Sequence, residues 1–180
     1  MNAKTTARRR LALSQSTLAI SLFFHLVATV VWIGGLVILT VLVWPETRRI
    51  LAENPGVYSL LTRLRKRFLP LSNLSLVVLV VTGLFQMTAD PNYEGVLEFT
   101  NEWSRAILLK HIAVGGMVIC GVALQFWVAP ALERASLLAE RRKSDPQEWE
   151  RLHRLEVRLT WVNTTLGILV LAFTAWATAI

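Results

Sequence analysis

Four apolar stretches, each long enough to cross a lipid bilayer, dominate the 180-residue sequence and limit what it can fold into. A helix needs roughly 20 apolar residues to span the hydrocarbon core of a membrane. The stretches cover, approximately, residues 17–44, 68–88, 103–130 and 158–180. The charged residues within them are Arg105, Lys110 and Arg158. The sequence therefore predicts an all-α fold, an integral membrane bundle of four transmembrane helices that forms a single membrane domain over residues 1–180.

The composition agrees with a membrane location. Only 17% of the residues are charged, whereas a soluble domain has about a quarter. The single cysteine, Cys120, excludes an internal disulfide bond. The start, MNAKTTARRR, is similar to the basic region of a signal peptide, but the apolar run after it is far longer than such a signal needs. We expect this run to be retained as the first helix.

The distribution of Lys and Arg predicts the orientation in the membrane. Loops 45–67 and 131–157, with the adjoining Arg158, carry thirteen basic residues, and the N-terminal tail on the other side carries four. The loop over residues 89–102 has acidic residues and no basic one. We therefore expect an inner (plasma) membrane protein with both loops in the cytoplasm and both termini outside. This topology explains the basic pI, so no nucleic-acid partner is expected.

Two of the three histidines lie inside apolar spans. His25 follows Thr17 by eight residues and His111 follows Trp103 by eight, which puts each about 12 Å below the same membrane surface. Because helices one and three run in the same direction, the two imidazoles can face each other. The alternative is a hydrogen bond between helices, to Asn73, Asn163 or the Thr164–Thr165 pair. The third histidine, His153, lies among charges and is expected to be solvated.

Two histidines at matched depth are typical of bis-imidazole ligation of haem iron, so the predicted cofactor is haem b, with His25 and His111 as metal ligands. Each ligating ring needs a partner for its other nitrogen. We expect Ser21 or a helical carbonyl for His25, and the Ile107 carbonyl for His111.

Four further residues are candidates for cofactor binding. Trp32 and Gly115 lie on the same helix faces as the histidines and offer flat or small surfaces to a porphyrin, although small residues also serve helix packing. Arg105 either pairs with a propionate or extends to interfacial water. Lys110 lies about 100° around its helix from His111, so the two side chains cannot both point at one partner without strain. Lys110 either reaches the headgroups or is itself a ligand.

A copper ion is the alternative cofactor. Soft Cu(I) prefers thiolate and thioether ligands, and the sequence offers Cys120, Met87 and Met117. Cys120 lies on the opposite face of helix three from His111, and Met117 lies about 120° away. Only Met87, at the outer end of helix two, is expected to join the histidines.

Three segments resemble a known family. They are HLVATVVWIGGLVILTVLVWP, RAILLKHIAVGGMVICGVALQFWVAPAL and RLEVRLTWVNTTLGILVLAFTAW, which resemble the CopD (copper resistance D) membrane domain. This resemblance implies copper handling at the inner membrane, with Lys110 at the family's characteristic lysine. The chain is also similar to the related HemJ-type protoporphyrinogen oxidases, which implies haem b and gives roles to His25 and Lys110. It lacks the aromatic and basic run that follows helix one in the HemJ proteins.

The function predicted first is that of a haem b membrane protein that transfers electrons or serves as a redox subunit. The alternatives are a copper-handling membrane protein, a HemJ-like oxidase and a scaffold subunit without a cofactor. Whether the protein is an enzyme stays open. The expected partners are the lipid bilayer and, in addition, a redox partner or a second copy of the chain.

Overall fold

The computed structural model describes residues 3–43, 45–46, 56–93, 95, 101–140 and 146–180. Over these residues the chain forms four long helices and no strand. Helix α1 begins at Ala3 and continues to Val43, α2 is Gly56–Ala89, α3 begins at Glu102 and continues to Glu140, and α4 is Pro146–Ala179. The predicted all-α class is confirmed.

Each helix contains a stretch that is long and apolar enough to cross a membrane. These stretches are Gln15–Val43, Lys66–Ala89, Glu102–Ala135 and Gln147–Ala179. Large apolar side chains are exposed along all four, among them Phe23, Val80, Ile119 and Leu171. Such a surface is stable against lipid tails and not against water. The four predicted spans are confirmed, and α3 and α4 extend beyond the predicted ranges 103–130 and 158–180.

Local sequence explains where α3 begins, and the structure shows where α1 and α3 change pitch. The Asn101 side chain accepts a hydrogen bond of 2.7 Å from the Ser104 backbone N–H, which caps the first turn of α3. Wider, π-helical turns occur in α1 at Val30–Gly34 and Ile38–Val43, and in α3 at Leu124–Val128. Such turns are rare and frequently lie near functional sites; the first of them contains the buried Trp32.

The chain divides into two compact units. The first comprises Met1–Gly35 and Leu64–Gly95, and the second comprises Leu36–Arg63 and Val96–Ile180. Each is described by itself below. The single membrane domain expected over residues 1–180 stays a prediction.

In the first unit α1 and α2 run antiparallel in close contact. His25 contacts Thr82, and one turn away Ser21 contacts Gln86. Gly35 lies so close to the ring of Phe68 that a Cβ atom there would overlap it. Glycine at position 35 therefore lets the two helices approach each other.

In the second unit α3 packs against α4, and each helix buries one face. On α3 the buried residues Trp103, Ala106, Ala113, Met117 and Cys120 are three, seven, four and three positions apart, and Ser104 beside them is also buried. On α4 they recur every seven residues, at Glu156, Asn163, Val170 and Ala177. This periodicity is that of helices packed side by side. The C-terminal part of α1 joins α4 through a 2.8 Å hydrogen bond between the hydroxyls of Thr40 and Thr164, both buried.

Candidate metal-binding site

His25 is held in one tautomer by its contact with α2. Its Nδ1 atom lies 2.8 Å from the Thr82 hydroxyl oxygen. The single hydrogen of that hydroxyl is donated to the Val78 carbonyl at 2.6 Å, so the oxygen accepts and His25 Nδ1 is the donor. In the neutral imidazole the lone pair is then on Nε2. A ring whose Nδ1–H is bonded to the protein is the usual arrangement of a histidine that ligates a metal through Nε2.

The partner of His25 differs from the expected one. Ser21 instead accepts a hydrogen bond of 3.3 Å from the Gln86 amide. The ring of His25 packs against Gly83, where a Cβ atom would be 3.4 Å from the imidazole Cε1 atom. The expectation of Ser21 or a helical carbonyl as the Nδ1 partner was therefore wrong, because α2 brings a hydroxyl within reach that sequence spacing along α1 does not reveal.

His111 is held in the same tautomer, through its own helix. Its Nδ1 atom lies 2.7 Å from the Ile107 carbonyl oxygen, the partner expected from the sequence. Because a carbonyl oxygen only accepts, Nδ1 carries the hydrogen and Nε2 carries the lone pair. The side chain is exposed, on the side of α3 that does not pack against α4.

Lys110 and His111, adjacent in sequence, occupy different environments. Lys110 continues the buried face of α3, four residues after Ala106 and three before Ala113, and its side chain is half-buried. The lysine therefore lies on the face of α3 that packs against α4, and the histidine lies outside that face. This agrees with the expectation that the two side chains cannot serve one partner.

The other predicted site residues are Arg105, Gly115 and Trp32, and they differ in exposure. Arg105 is exposed in the first turns of α3, and a Cβ atom at the exposed Gly115 would meet no atom within 4 Å. Trp32 is buried in the first unit. Their roles beside a cofactor stay predictions. The expectation that His25 and His111 face each other also stays a prediction, since the two residues belong to different units.

His153 was expected to be solvated, and this was wrong. Its ring stacks on Trp149 with the centroids 4.8 Å apart, and Nδ1 lies 3.9 Å from a carboxylate oxygen of Glu156. The side chains of His153 and Glu156 are only 13% and 7% exposed. The spacing of these three residues, four and then three, places them on one face of α4. That spacing was the available signal, and the charged neighbours obscured it.

The donor set bears on which metal could bind. Among the described residues, no three His, Cys, Asp or Glu side chains come together. Hard cations need several oxygen ligands, and no cluster of carboxylates is found in the part of the chain that the structure describes. Imidazole nitrogen and thioether sulfur, as at His25 and Met87, suit copper. Met87 lies on α2 one turn beyond Gly83, on the same side of that helix.

These features define a polytopic membrane protein with titratable and soft donor residues inside its spans. Residues 62–177 match the family model described as Copper resistance protein D, and the chain belongs to this CopD family. The match covers α3, nearly all of α4 and all but the start of α2, and it does not include His25. Comparison with curated proteins and with solved structures returned no match. The similarity to HemJ-type proteins stays a resemblance.

Proposed function

We propose that this protein handles copper at the membrane, binding the ion as cargo through the Nε2 atom of His25. The observation that carries the proposal is the hydrogen bond from His25 Nδ1 to Thr82, which orients the ring and leaves the lone pair on Nε2. Membership of the CopD family supports copper as the ion. Met87 is the second proposed ligand in this unit, since its thioether suits Cu(I).

The predicted topology would give this function a direction. If loops 45–67 and 131–157 lie in the cytoplasm, as the distribution of basic residues predicts, His25 lies nearer the outer surface of the membrane. Copper would then reach His25 from the outside, through the half of the bilayer that faces away from the basic loops.

Metal binding by the purified full-length chain tests the proposal. Wild-type protein in detergent, loaded with Cu(I) under anaerobic reducing conditions and freed of excess metal, is expected to retain copper. The His25→Ala variant is expected to retain one copper ion per chain fewer than wild type. His153→Ala is the control, because it removes a histidine outside the apolar part of the spans, and it is expected to retain the wild-type amount of copper. Wild-type protein that retains no copper would refute the proposal.

Haem b binding, with a redox or electron-transfer role, is the second candidate function. It is supported by the common tautomer of His25 and His111, because Nε2 is also the atom through which histidine binds haem iron. Trp32 and Gly115 would flank the porphyrin, Arg105 would pair with a propionate, and Lys110 would act as the alternative ligand that the HemJ resemblance implies. Haem would supply a one-electron redox centre.

The absorption spectrum separates the two candidates. After expression with ample haem, a Soret band with sharp reduced α and β bands would favour haem b, and each band should be lost or altered in His25→Ala and in His111→Ala. A colourless protein that retains copper would leave copper handling as the function. Lys110→Arg should leave the spectrum intact unless the lysine contacts the iron.

A further inference from the structure

Both sulfur-containing side chains of α3 lie on the face that packs against α4. Met117 is fully buried and Cys120 is only 9% exposed. The two residues are three positions apart, so they lie one above the other on the same side of the helix. A thioether and a thiol are thereby brought together at a contact between two helices inside the membrane.

The facing helix contributes a polar side chain whose oxygen has no partner. Asn163 on α4 is 4% exposed, and its Oδ1 atom accepts no hydrogen bond from any residue that the structure describes. Within a bilayer no water replaces the missing bond, and a buried acceptor of this kind is costly. The lone pairs of this oxygen are therefore available to a bound ion.

The register of the two helices brings Cys120 and Asn163 to about the same level, with Met117 one turn away on α3. Gly116 on α3 faces Leu166 on α4, where a Cβ atom on the glycine would be 3.1 Å from the leucine Cδ1 atom. The helices are antiparallel, so four residues further along α3 correspond to about three or four residues back along α4. That step leads to Cys120 on one helix and to Asn163 on the other, both on the buried faces.

We propose that Cys120, Met117 and Asn163 form a binding site for Cu(I) at the contact between α3 and α4. The proposal rests on the copper-handling function and adds a second, sulfur-containing site to it. Thiolate and thioether are the ligands that Cu(I) prefers, and the amide oxygen is a weaker third donor at the same contact. All three residues lie within the part of the chain that matches the CopD family.

Charge balance explains why a monovalent soft ion suits this site. Cu(I) binds the thiolate, so the Cys120 thiol releases one proton to the solvent for each ion bound. The negative sulfur and the positive ion together carry no net charge. A neutral complex avoids the high cost of a net charge in the hydrocarbon region.

This site also gives a role to Cys120, which the sequence analysis excluded as a metal ligand beside His111. Cys120 was excluded as a partner of His111 because the two lie on opposite faces of α3. The structure agrees on the faces, since His111 is exposed and Cys120 is buried. The cysteine needs no histidine, because its neighbours at the contact with α4 are another sulfur and an amide oxygen.

Cu(I) binding to single-residue variants of the full-length chain tests the site. Wild-type protein is titrated with Cu(I) in competition with bathocuproine disulfonate, and the ligands are identified by copper X-ray absorption. Cys120→Ser and Met117→Leu are each expected to weaken or abolish the binding of one copper ion and to lower the number of sulfur ligands per copper. Asn163→Leu is expected to weaken binding about 10- to 100-fold. Asn73→Leu, which removes an exposed amide from the span of α2, is the matched control and is expected to bind as wild type does.

A measurement on the wild-type chain tests the site even if the variants fail to fold. Cys120 is the only cysteine, so alkylation by N-ethylmaleimide reports on it alone. Cu(I) loading is expected to slow this alkylation at least about 10-fold, and removal of the copper by the chelator is expected to restore it. An alkylation rate that copper leaves unchanged would overturn the site.

The outcomes distinguish this site from the proposed function. Copper that is retained by the wild type, lost in His25→Ala and unaffected by Cys120→Ser would support copper handling and overturn the α3–α4 site. Sulfur-ligated copper that persists in His25→Ala and disappears in Cys120→Ser would support the site. Wild-type protein that binds no Cu(I) would refute both.

Discussion

The Nδ1 atom of His25 in α1 lies 2.8 Å from the hydroxyl oxygen of Thr82 in α2, and that hydroxyl already donates its hydrogen to the Val78 carbonyl. The imidazole must therefore be the donor, which makes Nε2 the atom with the lone pair. One threonine thus determines both the orientation of the ring and the nitrogen that can bind a metal. The consequence can be tested without altering the histidine itself.

Thr82→Val should weaken Cu(I) binding at His25 about 10- to 100-fold, the usual effect of removing a partner that orients a metal ligand. Valine keeps the shape of threonine but cannot accept the hydrogen bond. Thr82→Ser should restore binding because it returns the hydroxyl. Competition with a chromophoric Cu(I) chelator measures the affinity.

Thr88→Val is the matched control for this prediction. Thr88 lies on the same helix, is exposed, and donates its hydroxyl to the nearby Phe85 carbonyl. Its replacement should leave copper affinity unchanged. Equal affinities for Thr82→Val and wild type would show that the hydrogen bond plays no part in binding.

The second prediction concerns the hydrogen bond between Thr40 and Thr164. Each hydroxyl also lies near a carbonyl of its own helix, at 2.7 Å from Leu36 and 3.0 Å from Thr160. The two hydroxyls have only two hydrogens for these two carbonyls and the contact between the threonines. One hydroxyl must therefore donate to the other threonine and give up the hydrogen bond to its own carbonyl. A double-mutant cycle with Thr40→Val and Thr164→Val should give a coupling of about 0.6 kcal/mol, and at most about 1.7 kcal/mol, in the free energy of unfolding in detergent.

The neighbouring exposed Thr165 provides the control for this cycle. Its hydroxyl donates to the Trp161 carbonyl within α4, so Thr165→Val paired with Thr40→Val should show no coupling. A coupling of the same size for both pairs would mean that the measurement reports general effects of removing hydroxyls from α4.

The sequence was sufficient to predict the four helices, but it was insufficient to predict which side of each helix contacts a neighbour. The apolar length of each span predicts the four helices, since length and hydropathy are properties of a segment alone. Ile107 could be named as the partner of His111 because the bond stays within one helix turn. Thr82 could not be named for His25, because it is 57 residues away on another helix.

Packing between helices also decided which of two adjacent residues faces inward. Lys110 belongs to the buried face of α3 and His111 does not, yet both fit an apolar span equally well in sequence. The position of that face follows from the contact with α4, and only then does the spacing from Ala106 to Cys120 become informative. The same contact buries Asn163, whose unsatisfied oxygen has no signature in the sequence.

The third prediction concerns the cost of Lys110 at this contact. A charged side chain inside a span costs about 2.5–3.5 kcal/mol on insertion scales, so Lys110→Met should raise the free energy of unfolding by up to that amount. Lys110→Arg keeps the charge and should give no such gain. Reversible unfolding in mixed micelles measures both variants. A Lys110→Met protein that is less stable than wild type would show that the ammonium group has a favourable partner in the folded protein.

The fourth prediction concerns orientation, and it follows from the thirteen basic residues of loops 45–67 and 131–158 against the four of the N-terminal tail. Because Cys120 is the only cysteine, a Cys120→Ser chain can carry single new cysteines at exposed positions beside opposite membrane surfaces. Asn92→Cys, just after α2, should react with a membrane-impermeant maleimide in intact cells whose outer envelope has been removed. Glu46→Cys, just after α1, should react only after the membrane is opened. The reverse pattern would place the basic loops outside, and His25 would then lie near the cytoplasmic surface.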